Sequence, residues 1–176
     1  MEYILQMSKL TMALKSIRRE GESKFVVKRI ETEEERNQLT KIFREAGMKK
    51  VKLEPSEKCI EFIAVDKETK RVIGGSVSII ENHKNAEILT AVSLLHRRQG
   101  VGSALLRKNE EELRRMGVER AVILPLTAGA YEFLRKQGYH YVGDVEQRVE
   151  GFVVAYMEKQ LNSPHRHHIF KLAKQS

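Results

Sequence analysis

The stretch Arg97–Leu106, "RRQGVGSALL", decides how the chain is read. Two arginines precede Gly100 and Gly102, and a run with the composition of a helix follows. Glycine disfavours helix interiors, so its place at a helix start needs a reason. The first amides of a helix have no partner within it, and the aligned peptide dipoles make that end partly positive. Gly100 and Gly102 remove side chains that would hold a ligand off those amides. They also permit positive φ, which lets successive N–H groups converge on one anion. Arg97 and Arg98 add long-range attraction and charge-assisted bonds. The turn reads as a seat for a phosphate or diphosphate. The bland alternative is a tight strand-to-helix turn with solvated arginines. Two other phosphate loops do not fit. A dinucleotide fingerprint needs a third glycine where Leu105 stands, and a P-loop needs Gly-Lys-Ser/Thr, which is absent.

Outward from this turn, Ala86–Leu94 reads as a strand, Val101–Met116 as a helix and Arg120–Leu124 as a short buried strand stopped by Pro125. Strand, helix and strand in that order imply a parallel pair with a right-handed crossover. Upstream, Phe25–Ile30 is a short strand. Thr32 and Glu35 form a capping box, and Leu39, Ile42, Phe43 and Ala46 fall on one helical face that Gly47 ends. Ile60–Val65 and Val72–Ile80 read as a hairpin, with Gly74-Gly75 marking a bulge or a close backbone approach. Downstream, Thr127 caps a helix through Gln137, and Tyr139–Val145 and Phe152–Met157 are a final strand pair. The order is β-α-β-β-β-α-β-α-β-β. It predicts an α/β fold, a mixed sheet with helices on its faces. Loosely helical periodicity in residues 1–22 sets off an N-terminal helical extension. Residues 23–160 form the domain, and 161–176 a polar, basic tail.

The segment Ala86–Gly102, "AEILTAVSLLHRRQGVG", contains Arg97-x-x-Gly100-x-Gly102 after a strand ending in the small-apolar pair Ala91-Val92. It resembles the acetyl-CoA-binding motif of the GNAT superfamily, the Gcn5-related N-acetyltransferases. The later "AYEFLRKQGY", ending in Gly138-Tyr139, resembles that family's later helix. The order of elements is also the family's, from about Phe25 to Met157. The resemblance implies a mostly antiparallel central sheet with one parallel, splayed pair. It implies acetyl-CoA as co-substrate and no metal. By that likeness the loop Arg97, Arg98, Gln99, Gly100, Val101, Gly102 and Ser103 holds the CoA pyrophosphate. The backbone of Thr90, Ala91 and Val92 pairs with the pantetheine arm, and the thioester lies between the splayed strands. An amide near Thr90 would face the oxyanion.

Acetyl transfer to an amine needs a base for the proton and is helped by an acid for the departing thiolate. Glu87, on the central strand where related enzymes sometimes carry a base, is the candidate base. Strand alternation makes its role depend on register. The family's frequent tyrosine ahead of the closing glycine is Leu134 here, and its frequent asparagine is Thr127. Tyr131 is therefore the candidate acid, with Tyr139 and Tyr141 as substitutes. Those two departures also motivate an alternative reading, a CoA-binding regulatory module with weak or no catalysis.

The bulk properties bound the rest. Of 176 residues 41% are hydrophobic, enough for one core, and the net charge of +8 suits an anionic partner. Nucleic acid is disfavoured because aromatics do not interleave with the basic residues. One cysteine, Cys59, allows no internal disulfide. It reads as a buried small hydrophobe rather than a nucleophile. His165-Arg166-His167-His168 lacks the spacing of a metal site. With no membrane-length apolar run and no signal-peptide layout, a cytoplasmic location is expected. The expected partners are a small-molecule or protein amine and a second copy of the chain, with no membrane.

Overall fold

Thr32 begins the first helix as read: its hydroxyl accepts from the Glu35 amide at 3.2 Å, and the Glu35 carboxylate returns to the Thr32 amide. In the computed structural model, which describes residues 23–48, 58–82, 84–149 and 152–162, this helix is α1 (Glu33–Glu45). It follows β1 (Phe25–Arg29). After it come β2 (Cys59–Asp66), β3 (Val72–Ile80), β4 (Asn85–Val92) and a short 3-10 turn, Leu94–His96. Then come α2 (Val101–Arg115), β5 (Arg120–Ile123), α3 (Ala128–Lys136), β6 (His140–Val149) and β7 (Phe152–Gln160). The expected extension 1–22, most of the loop Met48–Lys58 and the tail with His165, His167 and His168 lie outside the described residues. No helix among the described residues is long and apolar enough to cross a membrane.

The strands form one sheet in the order β1-β2-β3-β4-β5-β7-β6, antiparallel except for the parallel pair β4–β5. Alternation along each strand feeds two cores. Ile60, Phe62, Ala86, Ile88, Ala121, Ile123 and Met157 meet the apolar side of α2 and α3. Ile63, Val65, Val77, Leu89 and Ala91 meet Leu39, Ile42 and Phe43 of α1 on the other face. Both readings of Gly74-Gly75 hold. The β2–β3 register shifts at Ala64/Val65, and a Cβ at Gly75 would stand 2.3 Å from a Leu39 methyl.

Several element ends differ from the sequence reading, β6 running on to Val149 and β7 to Gln160, and two of the differences bear on the site. β4 stops at Val92, where the Ser93 amide bonds Ile73 O and the Ser93 hydroxyl pairs with His96 Nδ1 at 3.1 Å. These local bonds turn Leu94 out of the strand. Tyr139 lies outside β6: its amide bonds Leu134 O past Gly138, whose φ is +87°. That left-handed residue closes α3 and drops the Tyr139 ring into the core.

Candidate active site

The β4–β5 ladder runs from Asn85–Arg120 to Ile88–Ile123 and ends there. β4 continues through Val92 along β3, whereas the chain after Ile123 turns away to α3. The last four residues of β4 thus have a partner on one side only, which makes a splay. Within a strand the N–H and C=O of one residue share a side, and neighbours alternate. Because Ser93 N–H bonds β3, the N–H and C=O of Thr90 and Val92 turn toward the side β5 has vacated. Ala91, between them, turns its backbone to Gly75 on β3, so it is the one member of the expected trio whose backbone does not face the splay.

At the end of β4 the chain reaches the glycine turn. Gly100 is the N-cap of α2 with φ +81°, and no side chain caps this helix. The contrast with α1 and α3 is informative, because Thr32 and Thr127 each cap theirs by a side-chain oxygen. The leading amides of α2, at Val101, Gly102 and Ser103, are therefore left without a capping side chain, at the positive end of a 15-residue helix. A Cβ at Gly100 would meet nothing within 4 Å. That side of the turn is clear of neighbouring atoms. Gly102 is not at positive φ, which corrects one expectation. Its bare Cα instead leaves room beside Phe133 and Val92, at 3.4 and 3.6 Å from the missing Cβ.

Arg97 folds back, its Nε donating to Val92 O at 3.2 Å, and so closes one carbonyl of the splay. Arg98 is exposed at φ +59°, a left-handed conformation uncommon for arginine. Among the described residues no salt bridge engages either arginine, so both charges are available beside the turn. Gln99 binds Leu95 O, and Ser103 accepts from Gln137, the C-cap of α3, at 3.2 Å. Under α2, Asn109 donates to Ser76 Oγ at 2.8 Å and accepts from Ser78 Oγ at 2.6 Å. Ser76 in turn shares a 2.8 Å bond with the Thr90 hydroxyl. This buried chain pins α2 to the middle of β4. Mid-strand serines facing a mid-helix asparagine were its unread signal in the sequence.

The register sets Glu87 opposite Ile79 of β3 and Val122 of β5. Glu87 shares a face with Leu89 and Ala91, hence the α1 side of the sheet, while Thr90 and Val92 face α2. Half-burial, then the nearby Glu81 charge, pushes its carboxyl above the usual range. Tyr131 lies on α3 and packs partly buried against the α2-side core. Leu134 is buried in that core, so no hydroxyl stands at its position. Tyr139 is removed from the list of acids: its hydroxyl donates to Glu110 at 3.0 Å inside the core, where Lys159 and Arg114 also bind that carboxylate. Tyr156 of β7, which the sequence reading passed over, borders the splay on the Glu87 side. Burial, then the Glu87 and Glu81 charges, raise its hydroxyl above the ordinary value. Burial chiefly raises the Cys59 thiol, which is the opposite of what a nucleophile needs. Among the described residues no group of histidines, cysteines and acids is arranged to hold a metal.

The sequence matches the Acetyltransferase (GNAT) family over residues 28–139. No curated protein matches it. Among solved structures the fold is similar to an aminoglycoside 6′-N-acetyltransferase complexed with coenzyme A, with TM-score 0.68 and 16% identity over 80% of this chain and 99% of that one. It is similar to the aminoglycoside 6′-N-acetyltransferase from Enterococcus faecium, with TM-score 0.65 and 18% identity over 80% of this chain and 99% of that one. It is also similar to the ribosomal-protein-S18-alanine N-acetyltransferase from Escherichia coli, with TM-score 0.62 and 16% identity over 83% of this chain and 99% of that one.

Proposed function

Because the chain belongs to the GNAT acetyltransferase family and is an acetyl-CoA-dependent N-acetyltransferase, we propose that it transfers the acetyl group directly to a primary amine, with Glu87 as base. The observation that carries the cofactor half of this reading is the uncapped start of α2 at the end of a half-paired strand. The leading amides of α2 and Arg98 hold the diphosphate, and the Thr90 backbone groups with the Val92 amide align the pantetheine arm in the splay. Bound there, acetyl-CoA supplies an activated acyl group on a thiol leaving group. The Thr90 amide donates to the carbonyl oxygen as negative charge develops on it. Glu87 takes the proton that the attacking nitrogen must lose, directly or through one water. Tyr131, on α3, is the hydroxyl that the sequence names as candidate acid.

The acceptor class spans small-molecule and protein amines, since the relatives named above include both kinds. The domain is placed at 23–160, with 1–22 and 161–176 as appendages, and a second copy of the chain is a further expected partner. The testing experiment follows free thiol released from acetyl-CoA over a panel of primary amines, from aminoglycosides to N-terminal peptides. At least one amine is expected to give turnover, with Glu87→Gln lowering kcat about 100-fold. Coenzyme binding with no thiol release across the panel would leave the weakly catalytic binding module as the reading.

A further inference from the structure

Resting on the reading just given, with the thioester in the splay and Glu87 as base, we propose that Tyr156 is the proton donor to the departing sulfur and Glu87 its partner in returning the amine's proton. β7 pairs with β5 from Arg120–Gln160 to Ile123–Met157, and β5 ends there. Tyr156 is the first residue of β7 past that end, so it borders the gap that β4 borders from the other bank. Alternation then fixes the face. Met157 packs in the α2-side core and Lys159 reaches Glu110 of α2, so Tyr156 and Glu158 point to the opposite face, the one carrying Glu87. Glu87, Val122 and Glu158 form one cross-strand row, and Tyr156 stands two residues along β7 toward the splay.

The electrostatics agree with that placement. The charges felt by Tyr156 are those of Glu87 and Glu81. Glu158 on the same strand is engaged by Arg120 at 3.5 Å and by His140 at 3.4 Å. A hydroxyl among acids stays protonated at neutral pH and is a donor. Among the described residues no hydrogen bond holds the Tyr156 hydroxyl, and it is not a buried unpartnered atom. The other hydroxyls are less well placed: Tyr139 is tied to Glu110, and Tyr131 packs on the face opposite Glu87.

The proton balance closes. The amine nitrogen bonds the acyl carbon, and Glu87 accepts the proton that nitrogen loses. The C–S bond breaks with its electron pair on sulfur, and the Tyr156 hydroxyl gives its proton to that sulfur. The Glu87 carboxyl then reprotonates Tyr156. The net products are the amide and the free thiol, with both side chains restored.

The test titrates the thiol of CoA bound to the whole chain, read by the ultraviolet absorbance of the thiolate. A hydroxyl donating to sulfur favours the thiolate, so Tyr156→Phe is expected to weaken thiol ionisation about ten-fold relative to the wild type. Tyr156→Met, which also lacks the hydroxyl, is expected to match it. Both should retain thermal stabilisation by CoA. If the wild type binds CoA and Tyr156→Phe titrates as the wild type does, this proposal falls and the reading beneath it stands. A shift in Tyr131→Phe with none in Tyr156→Phe also overturns it. If the wild type forms no CoA complex, the underlying reading has failed and takes this one with it.

Discussion

Glu87 concentrates the trade between activity and stability at one side chain. Its carboxyl is held above the ordinary range by half-burial and by Glu81, so the folded chain binds that proton more tightly than the unfolded chain does. Its contribution to stability is therefore fully present below the unfolded carboxyl's value and is lost as pH rises through the raised folded one. Activity runs the other way, since a base must be ionised. The rate is expected to climb with pH through that raised value. Glu87→Gln should therefore unfold at a higher temperature than the wild type at neutral pH while turning over more slowly. A melting series from acid to neutral pH checks this, and a variant less stable than the wild type at neutral pH would contradict it. Gly75 is a second single-residue case. A methyl there would press on Leu39, so Gly75→Ala should cost about 1–3 kcal/mol, read from the denaturant midpoint.

At the scale of elements, α2 is tied at three points: Ser103 to Gln137 near its start, the Asn109 chain at its middle and Glu110 beside it. Glu110 gathers Tyr139, Lys159 and Arg114, and so joins α2 to β7 and to the end of α3. Tyr139→Phe removes one buried bond to a charge and should destabilise by about 1.5–3 kcal/mol with kcat unchanged. A stable variant with lost turnover would return Tyr139 to the list of acids. The elements themselves were legible because their signals are local. The Thr32–Glu35 box, the Thr127 cap and the glycines after each helix say where helices start and stop without reference to anything distant. What escaped was non-local. The bonds of Asn109 span 31 and 33 residues, and Tyr156 acquires a meaning only once β7 is inserted between β5 and β6. A strand tyrosine followed by Met-Glu-Lys carries no mark of its own in a single sequence.

The whole molecule is a sheet interrupted at one place. Six strand junctions hold it together, and the two that flank β5 both stop at Ile123, the parallel β4–β5 junction among them. That interruption brings together residues far apart in the chain: the backbone of β4, the start of α2, and Glu87 and Tyr156 on one face. The parallel pair was legible from the strand-helix-strand order, whereas the splay was implied only by family resemblance. Its cause, β5 ending at Ile123 before Pro125, is a matter of strand length that the sequence did state. The central claim is that the uncapped amides of α2 grip a diphosphate. Calorimetric titration with CoA and with pantetheine, which lacks the diphosphate, tests it in the wild type and in Gly100→Glu. A Cβ at Gly100 would meet nothing within 4 Å, so that variant should keep its fold despite the backbone strain. The account predicts that CoA binds the wild type at least about 100-fold more tightly than pantetheine does, and that Gly100→Glu brings CoA down to the pantetheine level. Equal affinity of wild type and Gly100→Glu for CoA would contradict it.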